Sequence, residues 1–166
     1  MAAFSLIVER HQAWAWRIAY RFTGKEEEAS DIVQEAFLRL WNASGRYRPE
    51  AKFRTYFYRI ISRLCLDYTK KKRPLRLDIL SDSPDPSPDV EDEIIRQEMS
   101  VVVRTALDTL PPNQRLAILF RYDEDLSYDE IAAALSTTVK AVERLLARGR
   151  DKLREILGSR ENYFDA

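Results

Sequence analysis

Cysteine, histidine and glycine are scarce in this chain of 166 residues, which holds one, one and four of them. A single cysteine, Cys65, excludes an internal disulfide and any cysteine-rich zinc site, and His11 has no second histidine or cysteine nearby to share a metal with. The hairpin dipeptides are missing too, so no tight strand connection is signalled. No apolar run approaches the roughly 20 residues that span a bilayer. Nothing near the start has the charged, apolar and small-residue order of a signal peptide. These absences predict a reduced, cytoplasmic protein with no membrane insertion, no metal site and no cofactor.

Net charge is also absent, with 27 basic and 27 acidic residues, but its sign is sorted along the chain. Residues 1–77 carry +8, residues 78–98 carry −7 and residues 99–166 carry −1. A basic half followed by an acidic stretch points to a polyanionic partner for one part of the molecule. The acidic stretch SDSPDPSPDVEDE, Ser81 to Glu93, has six carboxylates and three prolines and only Val90 as an apolar residue. It cannot build a core, and proline and like-charge repulsion both favour an extended linker.

On either side of it, helical periodicity dominates and no segment alternates as a strand would. The predicted fold is all-α: two small helical domains, 1–75 and 93–166, joined by an acidic, proline-rich linker at 76–92. In a first helix Phe4, Ile7, Val8, Ala15, Ile18, Ala19 and Phe22 share a stripe, and Gly24 closes it. In a second, DIVQEAFLRLW, Ile32, Val33, Ala36, Phe37 and Leu40 face a core. A third runs from about Ala51 to Lys72, ahead of Pro74, with Phe53, Phe57, Ile60, Ile61, Leu64 and Tyr68 inward. Four more are expected at about 92–109, 112–122, 127–135 and 138–157.

Three outward faces carry the functional signals. On the second helix Asp31, Gln34 and Glu35 surround Leu38, a large apolar residue in a polar patch. Such leucines are common on surfaces, but this one has the form of a docking anchor ringed by orienting charges. On the third helix Tyr56, Arg59, Ser62, Arg63, Leu66 and Lys70 project outward, following the loop NASGRYRPE, which begins at Asn42 and contains Arg46, Tyr47 and Arg48. Cations bind phosphates, and aromatic planes stack on unpaired bases. A solvated basic face is the plain alternative. In the last segment, Ser127 and Glu130 form an S-x-x-E capping box, a short helix follows, and Thr138 caps a longer one. This is helix-turn-helix spacing, with Lys140, Glu143, Arg144, Ala147 and Arg148 on the outer face of the second helix and Val142, Leu145, Leu146, Gly149 and Leu153 inward. His11, Cys65, Trp14 and Trp16 are read as packing residues. No catalytic constellation is visible, so the chain is not expected to be an enzyme.

The ordered segments FSLIVERHQAWAWRIAYRFTG, DIVQEAFLRLW, FRTYFYRIISRLCLDYTKKKRP, LPPNQRLAILFRYDEDLSYDEIAAAL and TVKAVERLLARGRDKLRE together resemble a bacterial extracytoplasmic-function sigma factor of the sigma-70 family. The resemblance implies a subunit that binds core RNA polymerase, recognises promoter DNA through both domains and opens it, and that is held by an anti-sigma factor. It implies that Asp31, Gln34, Glu35 and Leu38 grip the polymerase. Asn42, Arg46, Tyr47, Arg48, Lys52, Tyr56, Arg59 and Arg63 would serve the −10 element, and Thr138, Lys140, Arg144 and Arg148 the −35 element. It also implies that the linker threads into the polymerase, where its acids would mimic RNA.

Several positions depart from the family pattern. Tyr56 replaces a usual tryptophan, Arg63 a frequent asparagine, and Ser136 a glycine in the turn. Arg144 stands one residue earlier than the family's arginine, about 100° around the helix. A promoter sequence therefore does not transfer from a relative. A stand-alone helix-turn-helix regulator is the rival reading; it leaves the third helix and the Leu38 patch without a task.

Overall fold

The computed structural model describes residues 2–46, 48, 52–72 and 101–158; the acidic linker, Tyr47 and the expected start of the fourth helix lie outside the described residues. Helices α1 (Ala2–Thr23), α2 (Glu26–Ala43) and α3 (Phe53–Lys72) form the N-terminal unit. The C-terminal unit holds α4 (described over 101–108), α5 (Pro112–Ile118), α6 (Tyr128–Leu135) and α7 (Val139–Leu157). No strand occurs among the described residues.

Local chemistry sets the helix ends. Gly24 leaves α1 at φ 74°, in the left-handed region that glycine reaches without penalty, and its amide donates to Tyr20 O at 2.7 Å. Glu26, Glu27 and Glu28 place negative charge in the first turn of α2, where the helix dipole favours it. Pro112 occupies the start of α5, a position that needs no amide hydrogen. The expected capping box is formed: the Glu130 amide donates to Ser127 Oγ at 3.1 Å and the Ser127 amide to Glu130 Oε1 at 3.2 Å. Thr138 Oγ1 accepts from the Ala141 amide at 3.1 Å. Between these two caps Ser136 takes φ 54° and ψ 48°, left-handed geometry at the place where a glycine would be unstrained.

The N-terminal core is aromatic. Trp14, Phe22, Phe37 and Phe57 are buried with Ile18, Ile32, Leu40 and Ile61, and Trp14 meets Phe57 edge-on at 5.4 Å. The expected inner face of α2 is buried throughout. Phe4, Ile7 and Val8 are only half-buried, because the first turns of α1 pack against the core from one side alone. In the C-terminal unit α7 packs on α5 so closely that a Cβ on Gly149 would stand 2.9 Å from Ile118 Cγ1.

Helix α3 departs from its simple two-faced reading. Ser62, expected outward, is 1% exposed, with its hydroxyl donating to Tyr58 O at 2.7 Å, and Tyr58 is buried as well. One side of α3 packs on α1 and α2 and another on α5 and α6. The Tyr58 and Phe120 rings, 5.2 Å apart, form the apolar part of the seam between the two units. Cys65 lies wholly inside, and burial pushes its thiol up to about 12.

Candidate functional site

Three surfaces hold the residues singled out from the sequence. On α2, Asp31, Gln34, Glu35 and Leu38 are all exposed, Leu38 at 55%, while the alternate face of the same helix is core. Arg39 holds Glu35 across one helical turn at 3.1 Å. Beside them α1 and α2 enclose a groove of about 1050 Å³, lined by Phe4, Val8, Trp16, Phe37, Leu38 and Trp41. Its wall is built by aromatic contacts, with Phe4 4.8 Å from Trp41 and 6.4 Å from Phe37, both edge-on. Leu38 is therefore the rim of an apolar groove rather than an isolated leucine. Sequence reasoning missed Phe4 and Trp41 as surface residues. The available signal was the pairing of Leu38 with Trp41, three residues on and on the same helical face.

The second surface runs from the end of α2 onto α3. Asn42, Arg46, Arg48 and Lys52 are exposed around a short 3-10 turn, Ser44–Arg46. Ser44 Oγ ties the start of that turn to Trp41 O at 2.7 Å. On α3, Arg63 is exposed, Tyr56 is half-buried and Arg59 is half-buried. Arg59 does not point freely to solvent: its Nε donates to Ala133 O of α6 at 3.1 Å. Arg54, which the sequence did not single out, donates to the Tyr58 hydroxyl at 3.0 Å and lies over the Trp14 ring at 5.3 Å. Burial first, and then the carboxylate of Glu124, push that hydroxyl up to about 12. His11 accepts from Trp14 Nε1 at 2.9 Å and lies 4.8 Å from the Phe53 ring. Burial and the nearby Arg54 and Arg10 charges lower its pKa, which suits the packing role read from the sequence.

The third surface is the outer side of α7. Thr138, Lys140, Glu143, Arg144, Ala147 and Arg148 are exposed, and Val142, Leu146, Gly149 and Leu153 are buried. Arg150, one step around, donates to the Tyr122 hydroxyl at 3.2 Å. The short α6 and the three-residue turn thus present the start of α7 outward, a geometry that can place arginine and lysine against base edges in a major groove. Among the described residues, no group of three His, Cys, Asp or Glu side chains is placed to hold a metal ion. Nor is any helix among the described residues long and apolar enough to cross a membrane.

Residues 7–74 match Sigma-70 region 2, and residues 100–153 match Sigma-70, region 4. The chain is 32% identical over 161 residues to the ECF RNA polymerase sigma factor SigE of Mycolicibacterium smegmatis, covering 95% of this chain and 62% of that protein. It thus spans less than two thirds of that relative's length. It is 31% identical over 170 residues to the ECF RNA polymerase sigma factor SigW of Bacillus subtilis, covering 93% of this chain and 89% of the relative. Among solved structures, CnrH in complex with the cytosolic domain of CnrY is similar at a TM-score of 0.72 and 26% identity, over 96% of this chain and 90% of that one. The sigma factor RpoE in complex with the anti-sigma factor NepR, from Bartonella quintana, has the same fold at a TM-score of 0.72 and 19% identity, over 97% of this chain and all of that one.

Proposed function

Because the chain belongs to the extracytoplasmic-function sigma factors of the sigma-70 family, we propose that it binds core RNA polymerase in the cytoplasm and directs promoter recognition and opening. In this reading residues 1–75 bind the polymerase and the −10 element, 76–92 link the units, and 93–166 bind the −35 element. The observation that carries it is the order of the surfaces along one chain. An apolar groove lined mostly by residues of the region 2 match comes first, with Asp31 and Glu35 exposed on the same helix, a basic and aromatic helix follows, and an exposed recognition helix lies within the region 4 match.

The groove takes the polymerase. Leu38 and Trp41 supply apolar anchors, while Asp31, Gln34 and Glu35 orient the partner, the division of labour common at protein interfaces. Asn42, Arg46, Tyr47, Arg48 and Lys52 take a base drawn out of the −10 duplex, and Tyr56, Arg59 and Arg63 hold the opened strand. Lys140, Arg144 and Arg148 read or clamp the −35 duplex, with Thr138 fixing the helix start beside it. The work is done by binding energy, with no bond made or broken by the chain. An anti-sigma factor is the natural regulator, since both similar complexes pair a relative with a second chain. A stand-alone regulator would leave the α1/α2 groove and the region 2 match unused.

Retention of the purified chain on core RNA polymerase, followed by transcription in vitro from candidate promoters, tests the reading. Leu38→Asp should weaken polymerase binding by about thirtyfold, the size of a hot-spot loss, with helicity unchanged. Duplex binding without any polymerase binding would favour the regulator instead.

A further inference from the structure

Helix α1 touches both ends of the loop that joins α2 to α3. At the first end Trp41, in the last turn of α2, packs edge-on against Phe4 at 4.8 Å. At the second end Phe53, the first residue of α3, has its ring 4.8 Å from His11 and 5.8 Å from Phe57. Phe4 and His11 are seven residues apart, or two helical turns, so they share one face of α1 with a spacing of about 10 Å along its axis. One helix therefore spans the mouth of the loop.

Backbone ties carry each anchor into the loop. Trp41 O accepts from the Ser44 amide and, at 2.7 Å, from Ser44 Oγ, which fixes the start of the turn Ser44–Arg46. Gly45 follows in that turn, and among the described residues nothing but its chain neighbours would meet a Cβ there within 4 Å. Packing does not hold this glycine, whose backbone is the least restricted of any residue, so the Ser44 tie is what limits the turn. At the other end the Tyr56 amide donates to Lys52 O at 3.2 Å and extends the first turn of α3 back into the loop. His11 is itself fixed, since its Nδ1 accepts from Nε1 of the buried Trp14 at 2.9 Å. Between the two anchors Arg46, Arg48 and Lys52 are exposed.

We infer that Phe4, His11 and Ser44 are positioning residues of the proposed −10 pocket: α1 holds the two ends of the α2–α3 loop at a set separation and so decides where Arg46, Arg48 and Lys52 stand when a base is drawn out. The inference rests on the reading of this loop as the one that takes the base. None of the three residues touches the strand. Their effect is to place the loop before the strand arrives, so that the energy of capture is not spent on ordering it. Such placement matters most at the extruded base, where unstacking has to be offset by contacts within one small pocket.

The test uses the full chain bound to core RNA polymerase and the −10 single strand of a promoter that it transcribes in vitro, scanned with one abasic site at a time. For the wild type, an abasic site at the captured base should weaken binding well beyond its effect elsewhere. His11→Ala and Ser44→Ala should each shrink that one penalty by about fivefold, the size of a ring pair or of a net hydrogen bond, because the intact strand binds less tightly while the abasic strand does not. The other positions and retention on polymerase should stay as they are. Ser44→Thr, which keeps the hydroxyl, and His11→Phe, which keeps a ring without the Trp14 hydrogen bond, should restore the penalty. Ser44 is exposed, so Ser44→Ala keeps the test decisive if circular dichroism shows that His11→Ala does not fold. An unchanged penalty in the folded alanine variants overturns the inference, as does a loss spread evenly over all positions or a failure of the conservative variants to restore it. The wild type separates the two readings. A penalty at one position that the variants do not alter removes the positioning role alone, whereas a flat wild-type profile removes base capture by this loop and the inference with it.

Discussion

On α7, Lys140, Arg144 and Arg148 stand in solvent on a helix whose other face is buried against α5. On α3, Arg63 is exposed while Arg59 is held by a backbone carbonyl of α6 and Tyr58 by Glu124. Both helices carry the same kinds of side chain. One presents them as they would meet a duplex, and the other has part of its row engaged inside the protein. Basic composition alone therefore does not identify a surface that is ready to bind. What decides it is whether another element of the chain supplies the acceptors.

The largest expected difference follows from that contrast. Replacing Arg144 and Arg148 together by alanine should lower affinity for −35 promoter duplex by about a hundredfold, from roughly 1–3 kcal/mol per lost contact, and leave the melting temperature unchanged. A large loss of stability would show that these arginines serve the fold. Arg59→Ala should show the opposite balance in the free chain. It removes a charge-assisted hydrogen bond, costs about 1–2 kcal/mol in urea unfolding, and changes single-strand binding by the free chain little. If its effect on the free chain matches that of Arg63→Ala, then Arg59 is not engaged and the contrast fails.

The smallest effect at neutral pH, and a growing one above it, belongs to the seam and the core beneath it. The Tyr58 hydroxyl and the Cys65 thiol are both pushed up to about 12 by burial, from 10.0 and 9.0. The folded chain therefore keeps protons that the unfolded chain releases first. Their stabilising effect is complete below about pH 9 and is lost as pH rises toward 12. Melting temperatures across that window should fall, and Tyr58→Phe should flatten the part of the decline above pH 10. A melting temperature independent of pH up to 12 would contradict the buried placement of both groups.

The features legible in the sequence were those set by neighbours along the chain. The Ser127–Glu130 box, the Thr138 cap, the Gly24 turn and the inward faces of α2 and α7 depend on residues within one or two turns, so their spacing reveals them. The second buried side of α3 did not follow from periodicity. Ser62 is buried on a helix that packs on α5 and α6 as well as on α1 and α2, and nothing within α3 announces those distant partners. Glu124 was invisible for the same reason: its partners Arg17 and Tyr58 lie 107 and 66 residues away. The groove needed two helices at once, with Phe4 from α1 and Trp41 from α2, and either pattern alone looked like ordinary packing.

The central claim is a chain that we propose binds core RNA polymerase through the α1/α2 groove. Retention of the full chain and of its Leu38→Asp variant on core RNA polymerase tests it most directly. The account predicts that the wild-type chain is retained and that Leu38→Asp binds about thirtyfold more weakly with its helicity unchanged. Equal binding of the two chains, both folded, would contradict it.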